Sequence, residues 1–389
     1  MSQIAYVGAD GQVHVSDQDG ADHRQLTLSV AQNPLLVWGR PDLALTNHAW
    51  PTWSPAGHNL LCFEYPEGEQ ASGPARVHLL DLDGVRQVEL LAVEGRVPIY
   101  AAWHPDGSGV LVLMQAEDRL TLGWVSHDEP GRLRVLEEGA PLFFHFVHDR
   151  RLLIHAGTGS DARVVVRDLD GRRPDVPFPE PPGNYCVPIV LDERVVHVVR
   201  RGRTNTLVHS DHEGNDTQDI LDFTGLGAVV PVPGKSQVVF SAAPEGEGTP
   251  YRGATLVDLE SGEVTRLTDD DCLAFFWSPR GRALIFAKVL QEANCIAWNQ
   301  VSPGGDAVEL ARFWPSREML FYLHFFDQFT LSHKLVSPGG DALVFAGRLM
   351  GRDAPSGPPQ VLVTSLDTPS GARVVASGVF GCFAPEPRA

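Results

Sequence analysis

Histidine is the residue type in this sequence best able to bind a metal ion or to transfer protons near neutral pH. The chain has 15 histidines. Many lie on, or at the entrance of, short apolar runs that predict strands: His48, His104, His145, His148, His324 and His333. If these strands converge, they predict a ligand site whose candidate residues are His48, Tyr100, His145, Tyr185, His324, Asp327, Gln328 and His333. For any single histidine, the alternative is a hydrogen-bonded structural role.

The sequence lacks the patterns of nucleophilic and thiolate chemistry. It contains no Gly-x-Ser-x-Gly motif, and its five cysteines include no Cys-x-x-Cys pair. Acidic turns such as Asp168/Asp170 offer oxygen ligands. Calcium needs six or more converging oxygens, however, and tight turns require Asp and Gly in any case. We therefore predict no catalytic residues, no cofactor and buried cysteines.

Charge limits the partners of the protein. The chain has 31 Lys and Arg against 49 Asp and Glu, a net charge of −18. Phosphate groups repel such a chain, so we expect neither nucleic acid nor a membrane as a partner. The first residues, Met1–Val7, have neither the basic nor the apolar region of a signal peptide. We expect a cytoplasmic protein.

A repeated motif indicates which elements position the candidate residues. An aromatic or apolar anchor is followed by Ser/His-Pro-x-Gly, and an apolar run begins seven residues after the anchor. The clearest anchors are Trp53, Trp103, Trp277 and Val336. A third strand that ends in an acidic turn and a fourth strand complete the unit. The motif therefore predicts four antiparallel strands per unit, as in a blade of a β-propeller.

The spacing of the units predicts how many blades there are and how the ring closes. Weaker units have anchors at Phe146, Ile189 and Val230, and the intervals match the roughly 40–50 residues of a four-stranded blade. Residues 1–29 predict three strands, and residues 378–389 predict the missing first strand of that blade. We predict an all-β fold with a single domain over residues 1–389. It is one closed β-propeller of eight blades, with seven as the alternative.

These repeats resemble a known family. The pattern Pro-x-Trp-Ser-Pro-x-Gly, followed by an apolar strand and Asp-x-Asp-Gly, is similar to the WD-like (PD40-type) repeat of TolB-like β-propellers. The resemblance covers nearly the whole chain and is strongest at 50–92, 97–136 and 272–312. Eight blades would also be similar to the propeller of dipeptidyl-peptidase-type enzymes. Their separate hydrolase domain would need more residues than this chain offers.

A second resemblance concerns Gln328 and His333, which precede the Val336 anchor by eight and three residues. This spacing resembles part of the manganese site of oligogalacturonate lyases, which are propellers of similar length. Two further histidines of that family correspond to Leu331 and Ala274 here. We therefore predict no bound metal, and a lyase-like site at Gln328 and His333 is the alternative.

Long loops on one face of the predicted propeller indicate where it binds other molecules. Loops that join strand 2 to strand 3, and strand 4 to the next strand 1, emerge on the same face. The five long ones are 30–47, 64–75, 242–253, 313–328 and 348–359. Aromatic side chains on such loops are typical binding anchors. The candidate interface residues are Trp38, Tyr65, Trp314, Phe321 and Tyr322.

We predict a non-catalytic scaffold that binds a protein, a second copy of itself or a small ligand through this long-loop face. The alternative is an enzyme, or a binder of metal or small ligands, that uses the mouth of the central channel in a lyase-like or hydrolase-like manner. Within the loop 313–328, Ser316 predicts the N-cap of a short helix. The apolar loops 34–45 and 313–326 have a further interpretation, as a lid over the channel mouth.

Overall fold

The structure, a computed structural model, describes residues 2–28, 45–67, 73–82, 86–148, 150–246, 249–280, 282–350, 357–368 and 371–386. It divides into two compact units. The first comprises Met1–Glu137, Phe313–Phe321 and Leu331–Ala389, and the second comprises Glu138–Arg312 and Tyr322–Thr330. Within these ranges the structure has two short α-helices, α1 (Arg317–His324) and α2 (Phe326–Phe329). Neither they nor any other helix of the described ranges is long and apolar enough to cross a membrane.

Strands make up most of the structure. The first eleven are β1 (Gln3–Gly8), β2 (Val13–Asp17), β3 (Arg24–Gln25), β4 (Leu45–Trp53), β5 (Asn59–Glu67), β6 (Ala75–Asp81), β7 (Arg86–Val93), β8 (Val97–Trp103), β9 (Gly109–Ala116), β10 (Arg119–Ser126) and β11 (Arg134–Gly139). The next eight are β12 (Leu142–His148), β13 (Arg151–Ala156), β14 (Arg163–Asp168), β15 (Val176–Pro177), β16 (Ile189–Leu191), β17 (Arg194–Arg201), β18 (Thr204–Ser210) and β19 (Gln218–Phe223). The last eleven are β20 (Gly227–Pro231), β21 (Gln237–Ala242), β22 (Tyr251–Asp258), β23 (Val264–Cys272), β24 (Ala274–Trp277), β25 (Leu284–Leu290), β26 (Cys295–Val301), β27 (Val308–Pro315), β28 (Ala342–Leu349), β29 (Gln360–Ser365) and β30 (Arg373–Phe383).

Paired strands are antiparallel, and within each sheet most of them pair with their neighbours along the chain. In the first unit, β4–β7 form one four-stranded sheet and β8–β11 form another. In the second unit, β12–β15, β16–β19 and β20–β23 each form a four-stranded sheet. These sheets are the four-stranded units that the repeats predict. The closed ring and the count of eight blades stay predictions.

The anchor motif builds a hairpin, as the sequence predicted. Strand β4 ends at Trp53 and strand β8 ends at Trp103. In the turn after Trp53, the Ser54 N–H donates to the Asn59 carbonyl (2.9 Å) and the Gly57 N–H donates to the Ser54 carbonyl (2.9 Å). Gly57 has a φ of +75°, a conformation that disfavours residues with a Cβ. The apolar run that follows, residues 60–63, is fully buried.

Strand β30 joins the C-terminal segment to the N-terminal strand. Its first residues pair with β29, and its later residues pair with β1, with Phe383 opposite Ile4 and Phe380 opposite Val7. The Trp53 indole N–H also donates to the Cys382 carbonyl (3.3 Å). The pairing predicted for residues 378–389 is thus present over 378–383.

Two further local predictions are confirmed. The Met319 N–H donates to the Ser316 hydroxyl (3.0 Å), so Ser316 caps helix α1. All five cysteines are free and buried. In the acidic turn at Asp168, the carboxylate accepts backbone N–H groups from Asp170 (2.9 Å) and Arg172 (3.1 Å), which is a common role of Asp in a tight turn.

Candidate ligand-binding cavity

The first unit contains a cavity of about 730 Å³, a volume typical of small-molecule sites. Its walls come from the β1–β2 turn, the beginning of β4, the end of β5, helix α1 and strand β30. The lining residues are Val7, Gly8, Ala9, Asp10, Gly11, Asn47, His48, Ala49, Trp50, Tyr65, Pro66, Ile99, Arg317, Glu318, Phe321, Val379 and Phe380.

Trp50 forms an aromatic wall of this cavity in an unusual backbone conformation. The pairing of β4 with β5 shifts by one residue between Ala49 and Thr52, which marks a β-bulge. Within the bulge, Trp50 has a φ of +54°, which is a true outlier for a bulky residue. Its ring lies 5.0 Å from the ring of Phe380 and 5.5 Å from that of Phe321. The strained backbone therefore directs the indole into an aromatic cluster.

His333 packs against Trp50 and is held by two hydroxyl groups. The rings of His333 and Trp50 are 5.9 Å apart. Nε2 of His333 lies 3.0 Å from the Thr52 hydroxyl, and Nδ1 lies 2.8 Å from the Ser332 hydroxyl. Burial lowers the pKa of His333 to about 3, so the ring is neutral at physiological pH. Both nitrogens of His333 are therefore engaged in a hydrogen-bonded structural role.

Beside the cavity, His48 belongs to a cluster with Glu64 and His78. Nε2 of His78 lies 2.7 Å from Oε2 of Glu64, and Nε2 of His48 lies 3.7 Å from the same oxygen. Burial lowers the pKa of His48 to about 4, against the opposing charge of Glu64. Burial alone would raise the pKa of Glu64, but the hydrogen bond from His78 and the charges of both histidines and Arg76 hold it below its usual value.

The remaining polar wall is formed by Asp10 and by helix α1. The Asp10 carboxylate lies 3.0 Å from Nε2 of His14 and accepts the Gln12 N–H (3.1 Å). Burial opposes ionisation of Asp10, but these hydrogen bonds outweigh it and lower its pKa. Arg317 and Glu318, in the first turn of α1, add one charge of each sign to the wall.

Other predicted site residues lie in the second unit. Burial raises the pKa of Asp327 to about 6, although its side chain stays partly accessible. Tyr185 packs on His155, with ring centroids 4.8 Å apart, and burial and then the charge of Asp327 raise its pKa. His145 Nδ1 lies 2.8 Å from the Phe146 carbonyl. Gln328 is buried and His324 is exposed.

The structure brings some of the predicted residues together. His48, Tyr65 and Phe321 line one cavity, and Tyr100 lies next to it with its ring 6.4 Å from that of His333. Trp314 is half-buried, and Trp38 lies outside the described residues. Tyr322 requires a correction: it is 0% exposed and packs on Phe329, so its ring offers no surface to a partner. Sequence reasoning missed Trp50, Glu64, His78 and Arg317.

Similar proteins show the fold of this chain. No protein-family model and no curated protein matches the sequence. A eukaryotic initiation factor is similar, with 12% identity, a TM-score of 0.54 and coverage of 100% of this chain and 99% of that chain. The β-propeller domain of the Trilobed protease from Pyrococcus furiosus has 10% identity and a TM-score of 0.52, over 86% of this chain and 98% of that chain. TolB from Acinetobacter baumannii matches with 13% identity and a TM-score of 0.38, over 68% of this chain and 62% of TolB.

The two similar structures with TM-scores above 0.5 establish a β-propeller fold, which confirms the fold predicted from the TolB-like repeats. The likeness does not extend to activity, because the identities are 10–12%. One of the similar structures is a domain of a protease, so the fold alone does not distinguish a binding scaffold from an enzyme.

Proposed function

We propose that this protein is a binding propeller whose first unit takes up a small ligand with an apolar ring and polar substituents, without catalysing a reaction. The observation that carries the proposal is Trp50, held in a left-handed backbone conformation among Phe321 and Phe380 at the cavity wall. Residues in sparsely populated backbone conformations cluster at functional sites. An aromatic wall with a few polar groups is the usual composition of a ligand pocket.

The polar residues of the wall are suited to orienting a ligand. The carboxylate of Asp10 is held ionised by His14 and by the Gln12 N–H, and its pKa lies below the usual value. General acid–base catalysis works best with a pKa near the operating pH, so Asp10 is a poor proton carrier. Together with Asn47 and Arg317, it can instead fix the polar end of a ligand whose ring stacks on the aromatic wall.

The position of the cavity supports binding through the long-loop face. The β1–β2 turn and the end of β5 correspond to connections between strands 2 and 3 of a blade. The beginning of β4 and helix α1 belong to connections between blades. Both kinds of connection are predicted to emerge on that face. Two aromatic residues singled out for this face, Tyr65 and Phe321, line the cavity.

Ligand-observed NMR with a library of small ring-containing acids, alcohols and sugars tests the proposal. The variants are Phe321→Ala, which alters the cavity wall, and Phe325→Ala as a matched control. Phe321 and Phe325 are 38% and 48% exposed, and only Phe321 lines this cavity. We expect library members to bind the wild type and Phe325→Ala, and to lose binding to Phe321→Ala.

Three outcomes would contradict the proposal. If no member binds, or if both variants bind alike, the cavity is not the ligand site. If a bound member is converted to product, the protein is an enzyme. If Phe321→Ala binds the library normally but changes the molar mass measured by light scattering, the face is an interface between copies of the chain.

A further inference from the structure

The cluster of His48, Glu64 and His78 contains buried nitrogen atoms that make no hydrogen bond. The two histidines are 2% and 5% exposed. Within the described ranges, no partner of Nδ1 or Nε2 of His48, or of Nδ1 of His78, meets the distance and angle of a hydrogen bond. The backbone of Gly11 is a weakly interacting neighbour of His48. A buried polar atom left unsatisfied costs about 1–3 kcal/mol. Such atoms in a folded protein call for an explanation, such as a bound water or an ion.

Three neighbouring strands place the donor atoms around one point. His48 on β4 lies opposite Glu64 on β5, and Glu64 lies opposite Arg76 on β6. His78 follows two residues after Arg76, so it projects from the same face of the sheet. One ligand atom from each of the three side chains lies within 4.8 Å of the others. Sheet pairing thus fixes two imidazoles and one carboxylate as a group.

The spacing suits a metal ion. Bonds of about 2.0–2.2 Å in tetrahedral geometry place two ligand atoms roughly 3.4 Å apart. The separation of 3.7 Å between His48 Nε2 and Glu64 Oε2 is close to this value. The 2.7 Å hydrogen bond between His78 Nε2 and Glu64 Oε2 would open by roughly 0.7 Å to reach it. A small side-chain adjustment is therefore enough.

The surroundings of Glu64 leave one of its oxygens for the ion. Nη1 of Arg76 binds Oε1 of Glu64 at 3.1 Å, and Nε of Arg76 binds Glu89 at 3.0 Å. Arg76 therefore fixes the carboxylate so that Oε2 faces the two histidines. Outer partners that orient a ligating side chain in this way are a general feature of metal sites.

We propose that His48, Glu64 and His78 bind one divalent transition-metal ion of the first row. Two imidazole nitrogens and one carboxylate oxygen form a donor set that suits such ions better than it suits calcium or magnesium, which favour oxygen ligands alone. Three protein ligands also leave a coordination position for water or for another ligand. His48 lines the cavity, but metal binding does not depend on the ligand proposed above. The site revises the expectation of no metal and differs from the one considered at Gln328 and His333.

Calorimetric titration of the chelator-treated full chain with Zn²⁺ tests the site, and Co²⁺ absorption reports the ligand environment. The variants are Glu64→Gln and His48→Gln. The matched control is His104→Gln. His104 is also buried (1% exposed), and its Nδ1 lies 2.6 Å from the carboxylate of Asp106. We expect one equivalent of Zn²⁺ on the wild type and on the control. Affinity should fall more than about 100-fold in both cluster variants, beyond the loss expected for an outer-shell partner.

Circular dichroism first establishes that each variant folds. If Glu64→Gln does not fold, the wild-type titration and His48→Gln decide the result. The proposal is overturned if the wild type binds no saturable equivalent of Zn²⁺, or if a folded cluster variant binds it as tightly as the wild type. Because no organic ligand is used, either result leaves the test of the cavity untouched.

Discussion

Replacing Phe383 by Ala should destabilise the first unit through the strand pair β1–β30. Phe383 is 1% exposed and lies opposite Ile4, which is 0% exposed. Its backbone N–H also donates to the Lys334 carbonyl (2.8 Å). Truncation of a buried Phe to Ala costs about 3–5 kcal/mol, because apolar burial is lost and a cavity is left. The expected fall in melting temperature is roughly 6–20 °C for a unit of this size.

The assay is thermal unfolding followed by tryptophan fluorescence and by circular dichroism, with Val374→Ala as the control. Val374 lies on the same strand but is 50% exposed, so its truncation should cost less than about 1 kcal/mol. Equal melting of the two variants would refute the reasoning. It would show that the end of β30 does not hold the first unit together.

Three further predictions concern other parts of the fold. Ending the chain after Ser377 removes the buried Phe380 and Phe383. The free energy of unfolding lost with them approaches the typical total of about 5–15 kcal/mol, so the first unit should lose its cooperative melting transition. An unchanged transition would disprove this. Ser316→Ala should cost about 0.5–2 kcal/mol in urea unfolding by removing the cap of α1, whereas Ser316→Thr should retain most of it. The pKa of Asp327, raised to about 6, makes the ionised form unfavourable in the folded state. The free energy of unfolding of the wild type, relative to that of Asp327→Asn, should therefore rise by up to roughly 3 kcal/mol as the pH falls from 7 to about 4. Parallel pH profiles of the unfolding free energies of the two proteins would contradict this.

The elements that could be predicted are those set by local chemistry. The strands that end at Trp53 and Trp103 can be predicted because the turn residues and the following apolar run are adjacent in sequence. The cap at Ser316 can be predicted because the N–H group that it accepts belongs to Met319, three residues later. Helix orientation is not local, because consecutive side chains on a helix point about 100° apart. Phe321 is 38% exposed while its neighbour Tyr322 is fully buried, and only tertiary packing decides which of them faces outward.

The candidate site could be predicted only in part, because a bulge determines it. Counted back from the turn, a regular hairpin would place His48 opposite Tyr65. The bulge at Trp50 shifts the pairing by one residue and places His48 opposite Glu64. A shift of one residue moves every following side chain to a new partner. The sequence does not mark Trp50 as a bulge residue, because aromatic residues rarely adopt a positive φ. The cluster of His48, Glu64 and His78 could therefore not be predicted.

Because the first unit pairs strand β1 with strand β30, it cannot be completed until Phe383 has been translated. The residues that pair with β1, Gly378 to Phe383, leave the ribosome roughly 370 residues after it. At about 5–20 residues per second, this delay lasts roughly 20–70 s. The second unit is almost contiguous, from Glu138 to Arg312 with the addition of Tyr322–Thr330. During the delay, β1 has an unpaired edge that can bind strands of other nascent chains. Newly made chains, rather than finished ones, are therefore the species most exposed to misassembly, and chaperone capacity should govern the yield of this protein in cells.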